Sequence, residues 1–408
     1  MDFGPFLEVG AGGAGSATVR NNGRISLQGP DSDVTVGGFE GSNSTGTLNI
    51  ESGGQIEGLF YNIGGNVGNT GNVTVSGEGS KLLATGSAGP SSPFFGDAAF
   101  VTVGRNGTGT FRLEDGGDAE IRSGSDFTGF QAGRNDGSEG TIVVSGSGST
   151  LNVDGNGSMP SFDSGSITIG RNAGSKGELR IEAGGEVTNQ PNGMLAVGEQ
   201  PGSQGKVTIS GAGSTLEAGS DLLIGVTPQS DNIFDPSALD FSTGGSGTVT
   251  VESGGTLSAG SAENDGNDDV FIGSSGTLQI QSGGTLVGDV RNEGGTFSPG
   301  NSPGVAIIEG GLDHTGSIEF EIDGTVPGEF DQIDVTGDAR FEGEFVLDFG
   351  DDITPDQGDQ FKIVRAPEGV TVGDLDVSVS GLAESLDAGL EVSTTGITAK
   401  IEDSVSAG

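Results

Sequence analysis

The chain has 408 residues, 82 of them glycine and none cysteine, and its 58 acidic against 16 basic residues leave a net charge of −42. So negative a surface repels phosphate backbones and anionic lipid, which excludes nucleic acid and an anionic membrane surface as partners; the lack of cysteine excludes disulfides and thiolate metal sites. Only 31% of residues are hydrophobic, too few to offset chain entropy unless they are concentrated.

The apolar residues do fall together, in short alternating runs bounded by glycine or serine: 47-TLNI-50, 73-VTVS-76, 141-TIVVS-145 and 248-TVTVE-252. Period-two alternation between turn residues predicts strands, and no helical pattern of comparable strength occurs before residue 380. No apolar run approaches the roughly 18 residues of a membrane span, so direct membrane insertion is not expected. Residues 1–10 lack the basic and apolar regions of a secretory signal.

One phrase recurs along the chain. Its first half is an apolar-x-apolar-Gly strand, as in 34-VTVG-37, 61-YNIG-64, 101-VTVG-104, 130-FQAG-133, 167-ITIG-170, 195-LAVG-198, 222-LLIG-225 and 270-VFIG-273. The second half is Gly-x-apolar-x-apolar, a Ser/Gly pair and a short last strand, as in 46-GTLNIESGGQI-56, 140-GTIVVSGSGSTL-151 and 276-GTLQIQSGGTL-286. The spacing of the leading glycines varies from 25 residues (Gly46 to Gly71) to 42 (Gly205 to Gly247). A near-constant core with inserted loops predicts a parallel β-solenoid, a right-handed β-helix of about three strands per coil. A strand of three to five residues cannot bury a face alone, so each is expected to stack on its counterpart about 4.8 Å away. In TVTVE, Val249 and Val251 would face inward and Thr248, Thr250 and Glu252 outward.

Further features follow in chain order. Insertions at 84–100 and 226–244 carry Phe94, Phe95, Phe234 and Phe241, which either fold back over the flank or form contact surfaces. The triplets 104-GRN-106, 133-GRN-135 and 170-GRN-172 predict a side-chain amide ladder of Asn106, Asn135 and Asn172. The run 263-ENDGNDD-269 groups Glu263, Asp265, Asp268 and Asp269 in what reads as a solvated acidic turn rather than a calcium loop, lacking EF-hand spacing. At 298-SPGNSPG-304 the phrase changes. From 312 to 402, strands are expected at 317-SIEFEI-322, 332-QIDV-335, 339-ARFEGEFVLDF-349, 360-QFKIVR-365, 375-LDVSVS-380, 390-LEVSTT-395 and 397-ITAKIE-402. These suggest a small antiparallel β-sandwich-like domain that caps the solenoid. The expected division is residues 1–311 for the solenoid and 312–408 for the C-terminal cap or assembly domain.

The string 298-SPGNSPG-304, followed by 330-FDQIDVTGDA-339 and 358-GDQFKIV-364, resembles the closing region of secreted bacterial β-helix repeat proteins, either autotransporter-passenger-like or surface-sorted. The GxLxIxxGGxL units are similar to theirs as well. The resemblance implies a β-helix and an extracellular or cell-surface location. The chain departs from those proteins in showing no export signal, outer-membrane barrel or terminal apolar anchor.

Catalytic chemistry has little to stand on. His314 is the single histidine, in 313-DHTG-316, and reads as a junction residue rather than a base. With no Trp and only Tyr61, aromatic platforms for sugar rings are lacking, and the dispersed carboxylates nominate no acid/base pair. No phosphate loop is present. The expectation is a non-enzymatic structural or adhesive surface protein with no catalytic, cofactor-binding or metal-binding residues and no cofactor beyond loosely held calcium. Its partners would be further copies of itself or a cell-surface or matrix component. A carbohydrate-binding or polysaccharide-degrading β-helix is the alternative.

Overall fold

The computed structural model describes residues 2–3, 5–27, 29, 32–39, 43–85, 98–123, 128–155, 164–189, 193–229, 239–260, 269–300, 303–350 and 353–403. It is a parallel β-solenoid with three strands to each coil. One coil shows the plan: Thr128–Ala132 on the first face, Glu139–Ser145 on the second and Thr150–Gly155 on the third. Each strand pairs in parallel with its equivalents in the coils before and after. Among the described residues the third face is a 15-stranded sheet, and the first and second belong to a 24-stranded sheet.

Register follows the repeated phrase residue for residue. Gly71, Gly109, Gly140, Gly177, Gly205, Gly247 and Gly276 align in one column, and so do the apolar positions beside them. Leu179 and Ile181 are fully buried while Glu178, Arg180 and Glu182 are only partly so, which is the alternation the sequence predicts; in the coil before, the outward Val143 is buried as well. Burying one such side chain contributes about 1.5–3 kcal/mol. A single coil holds only a handful of them, so stability comes from stacking.

The glycines that end the first face and open the second are required by packing of backbone on backbone. A Cβ at Gly140 would stand 2.1 Å from Val103 O of the preceding coil, and one at Gly133 (φ +65°) would stand 2.1 Å from Lys176 O of the next. This corner contains no side chain because consecutive coils occupy the space.

Stacking does not stop at residue 312. Leu312–His314 pairs in parallel with Val290–Asn292, Ser317–Ile322 with Thr296–Pro299, and Gln332–Val335 with Val305–Glu309. The twelve-residue strands Asp338–Phe349 and Gly369–Ser380 run through both the first and second faces. Instead of a separate sandwich over residues 312–408, antiparallel pairing in the described C-terminal residues joins Gln360–Arg365, Gly396–Asp403 and Leu386–Ser393, added in that order to the third face. Leu382, Leu386 and Leu390 pack onto the core there, covering apolar surface at this end of the stack. The interior turns aromatic in this region, with Phe320, Phe341, Phe345 and Phe361 fully buried and in edge contact with one another or with Phe330 and Phe349.

Candidate interaction surface

The outward positions form rows along the solenoid axis. On the second face Thr47, Asn72, Thr110 and Thr141 stand in register, as do Thr248, Thr277 and Thr296. From Arg20 to Gly284 every connection between the second and third faces is tight, whereas the long connections flank the first face. The second and third faces thus present a flat, regular surface of hydroxyls, amides and charges. On the third face a shallow depression of 390 Å³ is lined by Lys81, Asp118, Glu120, Thr150, Asn152, Glu186 and Thr188. Three of its residues are engaged with one another and a fourth with a neighbour: Lys81 Nζ donates to Asp118 Oδ2 at 2.6 Å, Thr150 Oγ1 donates to Asp118 Oδ1 at 2.6 Å, and Glu120 pairs with Arg122 at 2.7 Å. The bond to Asp118 raises the Lys81 pKa above its usual value. A larger depression of 620 Å³, lined by Asp289, Asp313, Asp338, Arg340 and Glu368 among others, opens in the C-terminal coils.

The amide ladder is present. Asn172 Nδ2 donates to Asn135 Oδ1 at 3.3 Å, Asn135 Nδ2 to Asn106 Oδ1 at 2.8 Å, and Asn106 Nδ2 to Gly65 O at 2.8 Å. Each amide serves its neighbours in the stack.

On the first face, the outward positions change character along the axis. Thr35, Asn62, Thr102, Gln131 and Thr168 give way to Ala196, Leu223 and Phe271. These three join Met194, Val226 and Leu239 in a second buried cluster outside the coil, and Phe241 packs on it with its ring 6.0 Å from that of Phe271. Arg291 lies over the Phe241 ring at 5.6 Å. Phe241 therefore folds back onto the flank. The change was legible in LLIG and VFIG, where apolar residues replace the threonine of VTVG. Phe94, Phe95 and Phe234 lie outside the described residues.

Other sequence candidates resolve into architecture. Tyr61 points into the core, where its hydroxyl reaches Leu83 O at 3.0 Å and Ile56 O at 3.3 Å; burial raises its pKa well above 10. His314 is buried in line with Asn292 and Phe341, and its Nδ1 lies 3.0 Å from Asn292 Nδ2. Burial lowers its pKa to about 4. In the acidic turn, Glu263, Asp265 and Asp268 lie outside the described residues; Asp269 Oδ2 accepts from Asp289 N at 3.0 Å. Among the described residues no group of three or more His, Cys, Asp or Glu side chains is placed to hold a metal ion.

Asp331 is the residue that sequence reading passed over. It is 4% exposed, and its carboxylate accepts from Gly304 N at 2.6 Å and Glu321 N at 3.0 Å. It thereby ties the end of the SPGNSPG turn to the second face; Asn301 and Ser302 within that turn are outside the described residues. Burial, reinforced by Glu321 and Asp323, pushes its pKa up to about 7 against the opposing backbone bonds.

No protein-family model matches the chain, and no curated protein sequence does. Among solved structures, a TibC-catalysed hyperglycosylated fragment of TibA is similar over 93% of this chain and 97% of that one, at 14% identity and a TM-score of 0.43. The fold class rests on the ladders themselves. It is a β-solenoid.

Proposed function

We propose that the chain is an extracellular structural or adhesive surface protein, in which a stiff solenoid sets a distance and presents rows of small polar and acidic residues along it. The observation that carries this reading is the parallel register, which continues coil after coil from Phe6–Val9 to Gly369–Ser380. Such a stack resists bending because every coil is hydrogen-bonded to the next. The three groups with the largest pKa shifts among the described residues support it too: Tyr61, His314 and Asp331 each serve packing or backbone satisfaction rather than a shared cleft. Assembly of rods into filaments or a coat is the natural extension, since flat hydroxyl-rich faces repeat along the length. The carbohydrate reading has two footholds: the polar depression beside Lys81, where the carboxylate of Asp118 is already committed to Lys81 and Thr150, and the larger depression lined by Asp289, Asp313, Asp338, Arg340 and Glu368.

Light scattering combined with negative-stain microscopy, with and without millimolar calcium, tests the proposal. Straight rods that stay monomeric or join into fibres fit it. Compact or flexibly bent particles contradict it. Cleavage of a polysaccharide from a broad panel would replace it with the alternative.

A further inference from the structure

Two kinds of turn join the second and third faces. Short turns span Glu51 to Gly54, Glu114 to Gly117 and Glu182 to Gly185, with positive φ at Ser52, Asp115 and Ala183 and at the glycine after each. Long turns run from Ser76 to Ser80, Ser145 to Ser149 and Ser210 to Ser214, with positive φ at both of their glycines. The two kinds alternate through these coils.

Hydrogen bonds between coils explain the alternation. The serine that closes each long turn accepts from the short turn before it: Gly53 N to Ser80 Oγ at 3.1 Å, Gly116 N to Ser149 Oγ at 3.0 Å, and Gly184 N to Ser214 Oγ at 3.0 Å. The first glycine of each long turn donates to the short turn after it: Gly77 N to Glu114 O, Gly146 N to Glu182 O and Gly211 N to Ser253 O, each at 3.1 Å. A long turn is therefore satisfied only between two short ones. Four-residue turns also stack on each other, through Asn22 N to Ser52 O at 3.2 Å and, between Glu252–Gly255 and Gln281–Gly284, where positive φ falls at Gly254 and Gly283 but not at Ser253 or Ser282, through Gly254 N to Gly283 O at 2.7 Å. Among the described residues no long turn stacks on a long turn.

Charge adds a second condition. The last position of the second face reads Glu51, Ser76, Glu114, Ser145, Glu182, Ser210 in register. Serine thus keeps like charges two coils apart, about 9.6 Å rather than about 4.8 Å. Where short turns do meet, the same column holds Arg20 beside Glu51 and Glu252 beside Gln281, never two glutamates.

We infer that the coils obey a stacking rule: a long turn requires a short turn on each side, and two short turns stack only where their preceding residues do not repel. The solenoid is then lengthened or shortened without penalty in pairs of coils, steps of about 9.6 Å. This goes beyond the proposed role and holds whatever the partner.

Three deletions in the full chain, cut at equivalent glycines, test the rule by thermal melting. Deleting 109–176 removes one pair and should leave a single cooperative transition close to that of the parent. Deleting 109–139 stacks Ser76–Ser80 on Ser145–Ser149 and should melt lower, with a gap to the parent that 1 M NaCl does not close. Deleting 140–176 stacks Glu114 beside Glu182 and should melt lower at low salt, the gap closing in 1 M NaCl or with Glu182→Gln. The two single-coil deletions shorten the asparagine ladder equally, so that contribution cancels between them. Should a deletion fail to fold, Ser149→Ala in the intact chain should lower the melting temperature while Ser147→Ala in the same turn leaves it unchanged. The rule is overturned if deletion of 109–139 melts as high as deletion of the pair, if the 140–176 deletion ignores both salt and Glu182→Gln, or if the two serine variants behave alike.

Discussion

The carboxylate of Asp331 bonds to the backbone N–H of Gly304 at 2.6 Å, joining two segments 27 residues apart in the sequence. Because Glu321 N also donates to it, this side chain fixes the path by which the chain leaves the second face at Ile322 and enters the third at Gln332. The bond couples 298-SPGNSPG-304 to 330-FDQIDVTGDA-339, two of the phrases singled out in the sequence.

The acid–base behaviour of Asp331 follows from its burial. Its pKa is about 7 in the folded chain against an ordinary 3.8, so between these values the folded state holds a proton that the unfolded state has lost. The corresponding stability is full below about pH 3.8 and is lost as pH rises through about 7, an effect of at most about 4 kcal/mol. Asp331→Asn keeps an acceptor and removes the charge. Its stability relative to the parent should therefore rise between pH 4 and pH 8 in denaturant titrations, and a constant difference would refute the assignment.

His314 acts in the opposite sense. With its pKa at about 4 rather than 6.5, the folded state binds fewer protons in that window, so stability is present above pH 6.5 and is lost as pH falls towards 4, by at most about 3 kcal/mol. Asn292 occupies the equivalent position one coil earlier, which makes His314→Asn a conservative replacement. That variant should unfold less readily than the parent at pH 4.5 in comparison with pH 7.5. Since the slopes of His314 and Asp331 oppose each other, each substitution should expose the contribution of the other.

Asn135 has a donor and an acceptor engaged within the ladder. Asn135→Ala should cost about 1–3 kcal/mol, because Asn106 Oδ1 and Asn172 Nδ2 both lose a partner. Asn135→Asp should cost more at pH 7 than at pH 3, since an ionised carboxylate cannot donate to Asn106. Equal losses at both pH values would show that the ladder is not held by amide pairing.

Glycine substitutions should divide sharply by place. Gly137 has open space around its missing Cβ, so Gly137→Ala should cost only the strain of φ +72°, about 1 kcal/mol. Gly140→Ala drives a methyl into Val103 O of the coil before, and should cost several kcal/mol or prevent folding. Comparable melting temperatures for the two variants would contradict the close approach of coils at this corner.

The solenoid itself was legible because two independent signals coincide in each repeat: alternation of apolar residues marks the strands, and glycine marks the corner where backbone meets backbone. The ladder was legible because GRN recurs at one point of the phrase. The first coil repeats the phrase faintly, with Ala17 in the column where the next coils carry Leu48 and Val73. Strands such as Ser317–Ile322 were legible as strands, but period-two alternation reads the same for parallel and antiparallel pairing. What places Ile318 on Phe297 is the coil before it, a non-local partner that no window of sequence contains. Asp331 was hidden for a related reason, since its two donors lie 27 and 10 residues upstream.

The coils form one continuous stack that passes residue 312 without a break. The chain has no cysteine, so spin labels can be attached at chosen cysteines alone. Thr248 and Asp376 lie in one outward row, connected in register through Thr277, Thr296, Ser317 and Glu344. Five coil steps separate their backbones by about 24 Å. Electron–electron distance measurement on the Thr248→Cys, Asp376→Cys pair should give a single narrow distribution close to that value, widened only by the label arms, whereas a broad or much longer distribution would show that the C-terminal coils do not continue the solenoid.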